Sequence, residues 1–216
     1  MSKKTKKQNK IYINDNNNND DEIYIIKILI VGDPGVGKSN FIYRYTKDKF
    51  SSSNLSSAGF DSNSKEIEII DKKVIVQLWD SAGQQQFKPI TKNLFTRVQG
   101  IIILYDITNK ETFLNVSNWI KLIQETNNGI LYTLAGNKCD LKNERKVDEE
   151  EAIKFSKENN IDFLETSAKM NINIFECVNN FVQKIINSDY FIRNISFAAQ
   201  NTSIGRRTIN KNERCC

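Results

Sequence analysis

The sequence predicts a three-layer α/β fold, in which helices cover both faces of a mostly parallel six-stranded sheet with one antiparallel edge strand. The first observation is that apolar segments typical of buried strands alternate with segments of helical periodicity between residues 23 and 187. The second is that two strand-like segments lie close enough in sequence to form a hairpin. The third is that 39% hydrophobic residues in a 216-residue chain suffice for one packed domain.

The strands are placed from apolar segments. Ile23–Val31 is a continuous apolar segment, which predicts a strand buried on both faces. Residues 65–80 predict two strands joined by a turn at residues 71–73. Further strands are predicted at residues 100–106, 130–135 and 161–165.

The helices are placed from apolar residues that recur every three or four positions. The first helix follows the glycine-rich segment after Val31 and extends to about Tyr45, and another covers residues 148–159. Two further helices have inner faces formed by Phe113, Val116, Ile120 and Ile123, and by Ile174, Val178, Phe181 and Ile185. In a sheet of this kind, ligands are expected at the carboxyl ends of the strands.

The two ends of the chain differ in composition from the middle. Residues 1–22 are rich in Lys and Asn and predict a disordered extension, and residues 188–216 predict a flexible tail, which leaves residues 23–187 as the folded domain. The extension has five basic and four acidic residues, the tail has five and two, and 21 and 20 remain in the domain. A basic excess in the tails suits an acidic membrane surface better than a nucleic acid, but a merely solvated tail has the same composition.

Composition also disfavours several protein classes. The basic residues near the start run into Asn and Asp, so no signal peptide is predicted. The longest apolar run is short and contains Lys27, so no transmembrane segment is predicted. There is no His, and the four Cys lack metal-ligand spacing; Cys139 and Cys177 are interpreted as thiols of a reducing compartment.

Residues 32–39 read G-D-P-G-V-G-K-S and fit the phosphate-loop pattern G-x-x-x-x-G-K-S/T. Glycines let backbone N–H groups surround phosphate oxygens, Lys38 supplies charge to the β- and γ-phosphates, and the Ser39 hydroxyl can bind Mg²⁺. A glycine-rich turn is the alternative, but the position between a buried strand and a helix favours phosphate binding. The candidate nucleotide-binding residues here are Gly32, Asp33, Pro34, Gly35, Val36, Gly37, Lys38, Ser39 and Asn40.

A second motif, D-S-A-G-Q, follows the end of a predicted strand. Asp80 can hold Mg²⁺ through water, the Gly83 N–H can meet the γ-phosphate, and Gln84 can orient a water for in-line attack.

Two further motifs indicate which nucleotide base the site binds. The carboxylate of Asp140, in N-K-C-D, can accept hydrogen bonds from N1–H and the 2-amino group of guanine, a donor pair that adenine lacks. The T-S-A-K segment can offer backbone N–H groups to the guanine O6. The candidate base-binding residues are Asn137, Lys138, Asp140, Ser167, Ala168 and Lys169. Because four motifs follow four strands in order, the sequence predicts a guanine-nucleotide site with Mg²⁺.

The motifs G-D-P-G-V-G-K-S, W-D-S-A-G-Q, G-N-K-C-D-L and T-S-A-K together resemble the Ras superfamily of small GTPases, and within it the Rab family. The resemblance covers residues 23–187 and the last two residues, and it implies a phosphate-loop NTPase fold. It also implies that Ser57 binds Mg²⁺ and senses the γ-phosphate, that Phe50 covers the guanine ring, and that residues 80–95 form the second switch. The effector region implied is Asn54, Leu55, Ser56, Ser57, Ala58, Gly59, Phe60, Asp61 and Ser62.

The last two residues, Cys215 and Cys216, resemble a Rab double-geranylgeranylation signal, with a vicinal disulfide or inert thiols as alternatives. The resemblance implies a monomer at the cytoplasmic face of an intracellular or plasma membrane, with a cytosolic pool. The partners implied are effectors, an exchange factor, a GTPase-activating protein and a prenyl-binding escort, and no nucleic acid.

The departures from the family pattern cluster in the switches, where Ser57 replaces Thr and Gln85-Gln86 replace a Glu-Arg pair. The first hypothesis is a GTP-controlled switch that hydrolyses GTP slowly, with Lys38 and Gln84 as catalytic residues. The alternative is a membrane-tethered scaffold that binds guanine nucleotide with negligible hydrolysis. A phosphate-loop ATPase or kinase is disfavoured by the N-K-C-D segment, residues 137–140.

Overall fold

The computed structural model describes residues 23–51, 62–81, 93–127 and 129–188. Within them a six-stranded sheet has the order β2-β3-β1-β4-β5-β6, and only the edge strand β2 runs antiparallel to its neighbour. The strands are β1 (Ile23–Val31), β2 (Ser62–Ile69), β3 (Lys72–Asp80), β4 (Gly100–Asp106), β5 (Leu131–Asn137) and β6 (Phe163–Glu165). The predicted fold class is confirmed.

Helices cover both faces of the sheet. They are α1 (Lys38–Lys47), α2 (Lys110–Leu114), α3 (Val116–Thr126), α4 (Glu149–Glu158) and α5 (Ile174–Ile186), with a short 3-10 helix at Lys142–Glu144. The strand β1 is apolar after Lys27 because this part of the strand contributes to two cores: Ile28 and Ile30 pack on the side of α1 and α5, while Leu29 and Val31 pack on the side of α2, α3 and α4.

The predicted inner faces are buried in these two cores. Phe113, Val116, Ile120 and Ile123 lie in one core, and Ile174, Val178, Phe181 and Ile185 lie in the other. At Gly100 the helix α5 lies so close to the sheet that a Cβ would be 2.6 Å from the Ile185 Cδ1. Glycine at this position therefore allows the closing helix to pack directly against β4.

The hairpin turn differs from the prediction. It consists of Ile70 and Asp71, both with left-handed φ values of 52° and 56°, whereas Lys72 already pairs with Ile69 across the ladder. A two-residue turn with positive φ matches the twist of the paired strands, which explains why the following lysines lie in the strand rather than in the loop.

The other differences concern element bounds. The apolar face after Thr108 belongs to two helices instead of one, because Asn115 ends α2 and begins α3. The helix α1 continues two residues beyond Tyr45, β5 continues to Asn137, and β6 begins only at Phe163. The predicted disorder of residues 1–22 and of most of the tail lies outside the described residues and stays a prediction.

The parallel strands bring the candidate motifs to one edge of the sheet. The phosphate loop follows β1, Asp80 is the last residue of β3, Asn137 is the last residue of β5, and the T-S-A-K segment follows β6. The carboxyl ends of parallel strands meet at the same edge, so side chains separated by more than 100 residues become neighbours.

Candidate functional site

A cleft of about 300 Å³ lies at this edge of the sheet. It is lined by Gly35, Gly37, Asn40, Phe50, Ser51, Asn137, Lys138, Asp140, Leu141, Ala168 and Lys169. The lining combines the phosphate loop, the predicted aromatic cover, the N-K-C-D segment and the T-S-A-K segment. The structure thus brings together in one cavity residues that the sequence assigned to a single ligand.

The phosphate loop has a backbone that needs glycine. The φ values are 79° at Gly35 and 97° at Gly37, and a Cβ on Gly37 would lie 2.5 Å from the Asn137 Nδ2. Gly37 is the N-cap residue of α1 and has no side chain that could bond to the N–H groups of the first turn. The first N–H groups of a helix carry partial positive charge, so this loop and helix start form a suitable site for an anion.

Lys38 is buried within the loop, with only 6% of its surface exposed. Its Nζ donates hydrogen bonds of 2.9 Å to the carbonyl oxygens of Gly32 and Asp33, which occupy two of the three ammonium protons. Burial lowers the pKa of Lys38, while the charges of Asp80 and Asp33 raise it. The loop therefore orients a desolvated ammonium group at its centre, where an anion would be attracted most strongly.

Ser39 and Asp80 lie together at the start of α1. The Ser39 Oγ donates a hydrogen bond of 2.5 Å to the Asp80 Oδ2, and Asp80 is 3% exposed. The next residue, Ser81, anchors the strand end by donating from its Oγ to the Ile30 carbonyl at 2.8 Å. A hydroxyl and a carboxylate are hard oxygen ligands of the kind that Mg²⁺ prefers, so this pair fits the predicted metal.

Asn137 ties three loops together. Its Nδ2 donates to the Val36 carbonyl at 2.8 Å, and its Oδ1 accepts from the Ala168 N–H at 3.3 Å and from the Thr166 hydroxyl at 3.4 Å. The sequence assigned Asn137 to base binding, whereas in the structure its side chain joins the phosphate loop to the T-S-A-K segment. One backbone N–H of the segment predicted to offer such groups to guanine O6, that of Ala168, donates to Asn137.

Asp140 lines the cleft next to the T-S-A-K segment. The Ser167 hydroxyl donates to the Asp140 Oδ1 at 2.6 Å, and it accepts from the Met170 N–H at 3.0 Å. These two bonds orient the carboxylate that the sequence predicts to read the guanine edge. Ser167 thus acts through Asp140 and is itself fully buried.

Lys138 forms part of the cleft wall. Its Nζ forms an ion pair of 2.6 Å with the Asp106 Oδ2 at the end of β4, and its φ of 68° turns the backbone sharply between Asn137 and Cys139. The Asp106 carboxylate also accepts from the Thr108 N–H at 2.9 Å. The lysine is held along the wall by this pair, so its aliphatic stem can flank a planar ring.

Several contacts that support the site were missed by the sequence analysis. Arg44 on α1 donates from its Nε to the Ala168 carbonyl at 2.8 Å and from its Nη2 to the Lys169 carbonyl at 3.2 Å. The Asn40 Oδ1 accepts from the Ser51 N–H at 3.2 Å, beside Phe50, which is 38% exposed. No motif or spacing in the sequence indicates these contacts.

Part of the predicted site lies outside the described residues. These are the predicted metal ligand Ser57, the predicted γ-phosphate contact Gly83, the predicted catalytic residue Gln84, the predicted lipidation pair Cys215 and Cys216, and every predicted effector-region residue except Ser62, which begins β2. The fold and the described part of the site define a phosphate-loop protein whose cleft is suited to a guanine nucleotide.

Comparison with known proteins gives the family. The sequence model of the Ras family matches residues 27–187. Ras-related protein Rab-13 of Canis lupus familiaris is 40% identical over 164 residues, 76% of this chain and 81% of the relative. Ras-related protein Rab-8A of Bos taurus is 40% identical over 152 residues, 70% and 73% of the two chains. GTP-binding protein ypt2 of Schizosaccharomyces pombe is 36% identical over 196 residues, 89% and 96%. The chain therefore belongs to the Ras family, within which it is a Rab-like small GTPase.

The family confirms the predicted function at the level of the class. The protein is a Rab-like, guanine-nucleotide-binding GTPase of vesicle trafficking. The motifs predicted the guanine nucleotide, and the resemblance predicted the Rab family. In the part of the chain that the structure describes, no helix combines the length and the apolar character that crossing a bilayer requires.

Proposed function

We propose that the cleft holds GTP or GDP, with the base between Phe50 and the stem of Lys138 and with its edge at Asp140. The observation that carries this proposal is the lining of the cleft, which combines the phosphate loop with both base-reading segments. Asp140 accepts the two guanine donors while Ser167 keeps the carboxylate oriented. The phosphates extend from the base toward Gly35 and Gly37, where the loop supplies N–H groups.

The phosphate end of the cleft carries out hydrolysis. Lys38 neutralises charge that develops on the β- and γ-phosphates in the transition state, and two carbonyl contacts keep its ammonium group in place. Ser39, Asp80 and Ser57 would hold Mg²⁺, whose charge would further stabilise the phosphate oxygens. Gln84 orients the attacking water, and the Gly83 N–H donates to the γ-phosphate.

The C-terminal cysteines and the switch segments connect the nucleotide state to partners and to a membrane. Residues 54–62 bind effectors in the GTP state, and residues 80–95 respond to the γ-phosphate. Geranylgeranyl groups on Cys215 and Cys216 attach the monomer to the cytoplasmic face of an intracellular or plasma membrane, since two chains give stable anchoring. An exchange factor, a GTPase-activating protein and a prenyl-binding escort control this cycle between membrane and cytosol.

The experiment that tests this proposal is single-turnover GTP hydrolysis on the purified full chain with Mg²⁺, together with chromatography of the bound nucleotide. Guanine nucleotide and slow hydrolysis are expected in the wild type. Gln84→Leu is expected to keep binding and to lose hydrolysis. Gln183→Leu, on the exposed face of α5, is the matched control and should behave as the wild type.

Two outcomes would contradict the proposal. Hydrolysis at the wild-type rate in Gln84→Leu would remove the role assigned to Gln84. Tight GTP binding with no hydrolysis in the wild type would favour the membrane-tethered scaffold over the working switch.

A further inference from the structure

The phosphate loop contains an acidic side chain whose contacts are unusual for an anion-binding site. The Asp33 Oδ2 accepts a hydrogen bond of 2.7 Å from the Asn115 Nδ2, and its Oδ1 accepts one of 3.2 Å from the Trp119 Nε1. Both carboxylate oxygens are therefore held by side chains at the start of α3. The Asp33 carboxylate is partly buried, 82 and 86 residues away in sequence from its two partners.

A carboxylate in this loop needs a restraint. The rest of the loop supplies what a polyanion requires, namely glycine backbone and the ammonium group of Lys38. The Asp33 main-chain carbonyl contributes to that arrangement, because it accepts from the Lys38 Nζ at 2.9 Å. Its side chain carries the opposite charge from the lysine and the same charge as a phosphate. A carboxylate free to rotate toward Lys38 would compete with the phosphates for the cation and repel them.

We propose that Asn115 and Trp119 are positioning residues that hold the Asp33 carboxylate against α3 and keep it from turning further toward Lys38 and the phosphate site. They thereby raise the affinity for GTP relative to the affinity for GDP, because GTP carries the higher negative charge. The inference rests on the proposed placement of the phosphates at this loop.

The local structure shows why these two residues can do so. Asn115 separates the helices α2 and α3, and its backbone N–H donates a hydrogen bond to the Glu111 carbonyl. Trp119 lies four residues further on, so both side chains occupy one face of the helix. The backbone N–H of Trp119 donates a hydrogen bond to the backbone carbonyl of Asn115 at 3.2 Å, which fixes the relative position of the two side chains. An amide and an indole restrain the carboxylate without adding a cation that would compete with Lys38.

The restraint affects the two nucleotides unequally. The γ-phosphate adds negative charge, so a released carboxylate penalises GTP more than GDP. Loss of either donor is expected to lower the ratio of GTP to GDP affinity by about threefold or more, because the same charge then lies closer to the γ-phosphate position and is only partly screened. An indirect loss of stability would reduce the affinity for both nucleotides and leave the ratio unchanged.

The test measures affinities for GDP and for a nonhydrolysable GTP analogue by titration with Mg²⁺, on the full chain. The variants are Asn115→Ala and Trp119→Phe, each alone and combined with Asp33→Ala. Trp119→Phe removes the indole N–H and keeps an aromatic ring, so it serves even where Asn115→Ala fails to fold. Asn180→Ala, on the exposed face of α5, is the matched control and should keep the wild-type ratio.

A lowered ratio in either single variant, restored when Asp33→Ala removes the carboxylate, supports the inference. An unchanged ratio in the single variants, or a lowered ratio that persists without the Asp33 carboxylate, overturns it. A wild-type protein that binds neither nucleotide overturns the proposed function, and the inference fails with it. Normal wild-type binding with an unchanged ratio in the variants overturns the inference alone.

Discussion

Removing the side chain of Asn137 tests whether the loops of the site hold one another. Asn137→Ala deletes one short hydrogen bond to the Val36 carbonyl at 2.8 Å and two longer ones, to the Ala168 N–H and the Thr166 hydroxyl. Asn137 is only 2% exposed, so these partners lose their bonds where water has little access. The short bond and the buried groups left unpaired together predict a loss of about 2–4 kcal/mol in the free energy of unfolding.

The assay is urea unfolding at two GDP concentrations with constant Mg²⁺. Bound GDP stabilises the folded state by mass action, and when GDP saturates both proteins a weaker affinity lowers stability by RT ln of the ratio of the two dissociation constants. Separate titrations measure those constants, and the loss that remains after this contribution is subtracted, the same at both concentrations, is the intrinsic cost of breaking the three hydrogen bonds. Asn180→Ala, at an exposed position of α5, is the matched control and is expected to change stability by less than about 0.5 kcal/mol. An intrinsic loss below about 1 kcal/mol in Asn137→Ala would refute the reasoning, because leaving buried hydrogen-bonding groups without partners costs more than that.

Three further predictions follow from single contacts. Gly37→Ala is expected to weaken GDP binding at least about tenfold, because a Cβ there combines a φ of 97° with a 2.5 Å approach to Asn137; calorimetric titration measures it, and wild-type affinity would contradict it. Asp140→Asn is expected to shift the binding preference from GDP toward xanthosine diphosphate, because the new amide group can donate a hydrogen bond where guanine also donates and xanthine accepts. Competition binding measures the preference, and an unchanged preference would contradict the role of Asp140. Burial raises the pKa of the Cys177 thiol from 9.0 to about 12, so its contribution to stability is complete below pH 9 and is lost as pH rises toward 12. The stability difference between wild type and Cys177→Ala should change across that range, and a constant difference would show that the thiol is not buried.

The strands and the nucleotide motifs were predictable because they are local patterns. The continuous apolar segment of β1 indicated burial on both faces, and Ile30 and Val31 do lie in opposite cores. The G-x-x-x-x-G-K-S/T pattern indicated a loop between strand and helix, and Lys38 does begin α1. In each case the physical cause, burial or backbone freedom, acts on residues adjacent in sequence.

The contacts that hold the site together were not predictable in the same way. Arg44 reaches the Ala168 carbonyl across 124 residues, and Asp33 reaches Asn115 across 82. Such bonds depend on how the helices pack, and an arginine or an asparagine on a helix has the same local pattern whether or not it has a distant partner. The break of the helix at Asn115 was missed for a related reason, since Phe113 and Val116 keep helical spacing across it.

The hydrogen bonds between the nucleotide-binding segments explain why this chain can keep an ordinary nucleotide-binding site beside divergent switches. The phosphate loop, the N-K-C-D segment and the T-S-A-K segment are joined by Asn137 and Arg44, and Ser39 is joined to Asp80. Each of these hydrogen bonds connects one segment of the nucleotide-binding site to another. The departures from the family pattern, at Ser57 and residues 85–86, are at positions other than the residues that make these bonds. We therefore expect substitutions at Ser57 and residues 85–86 to change hydrolysis and partner choice, while the affinity for GDP, which depends on the nucleotide-binding segments that these bonds join, stays close to that of the wild type.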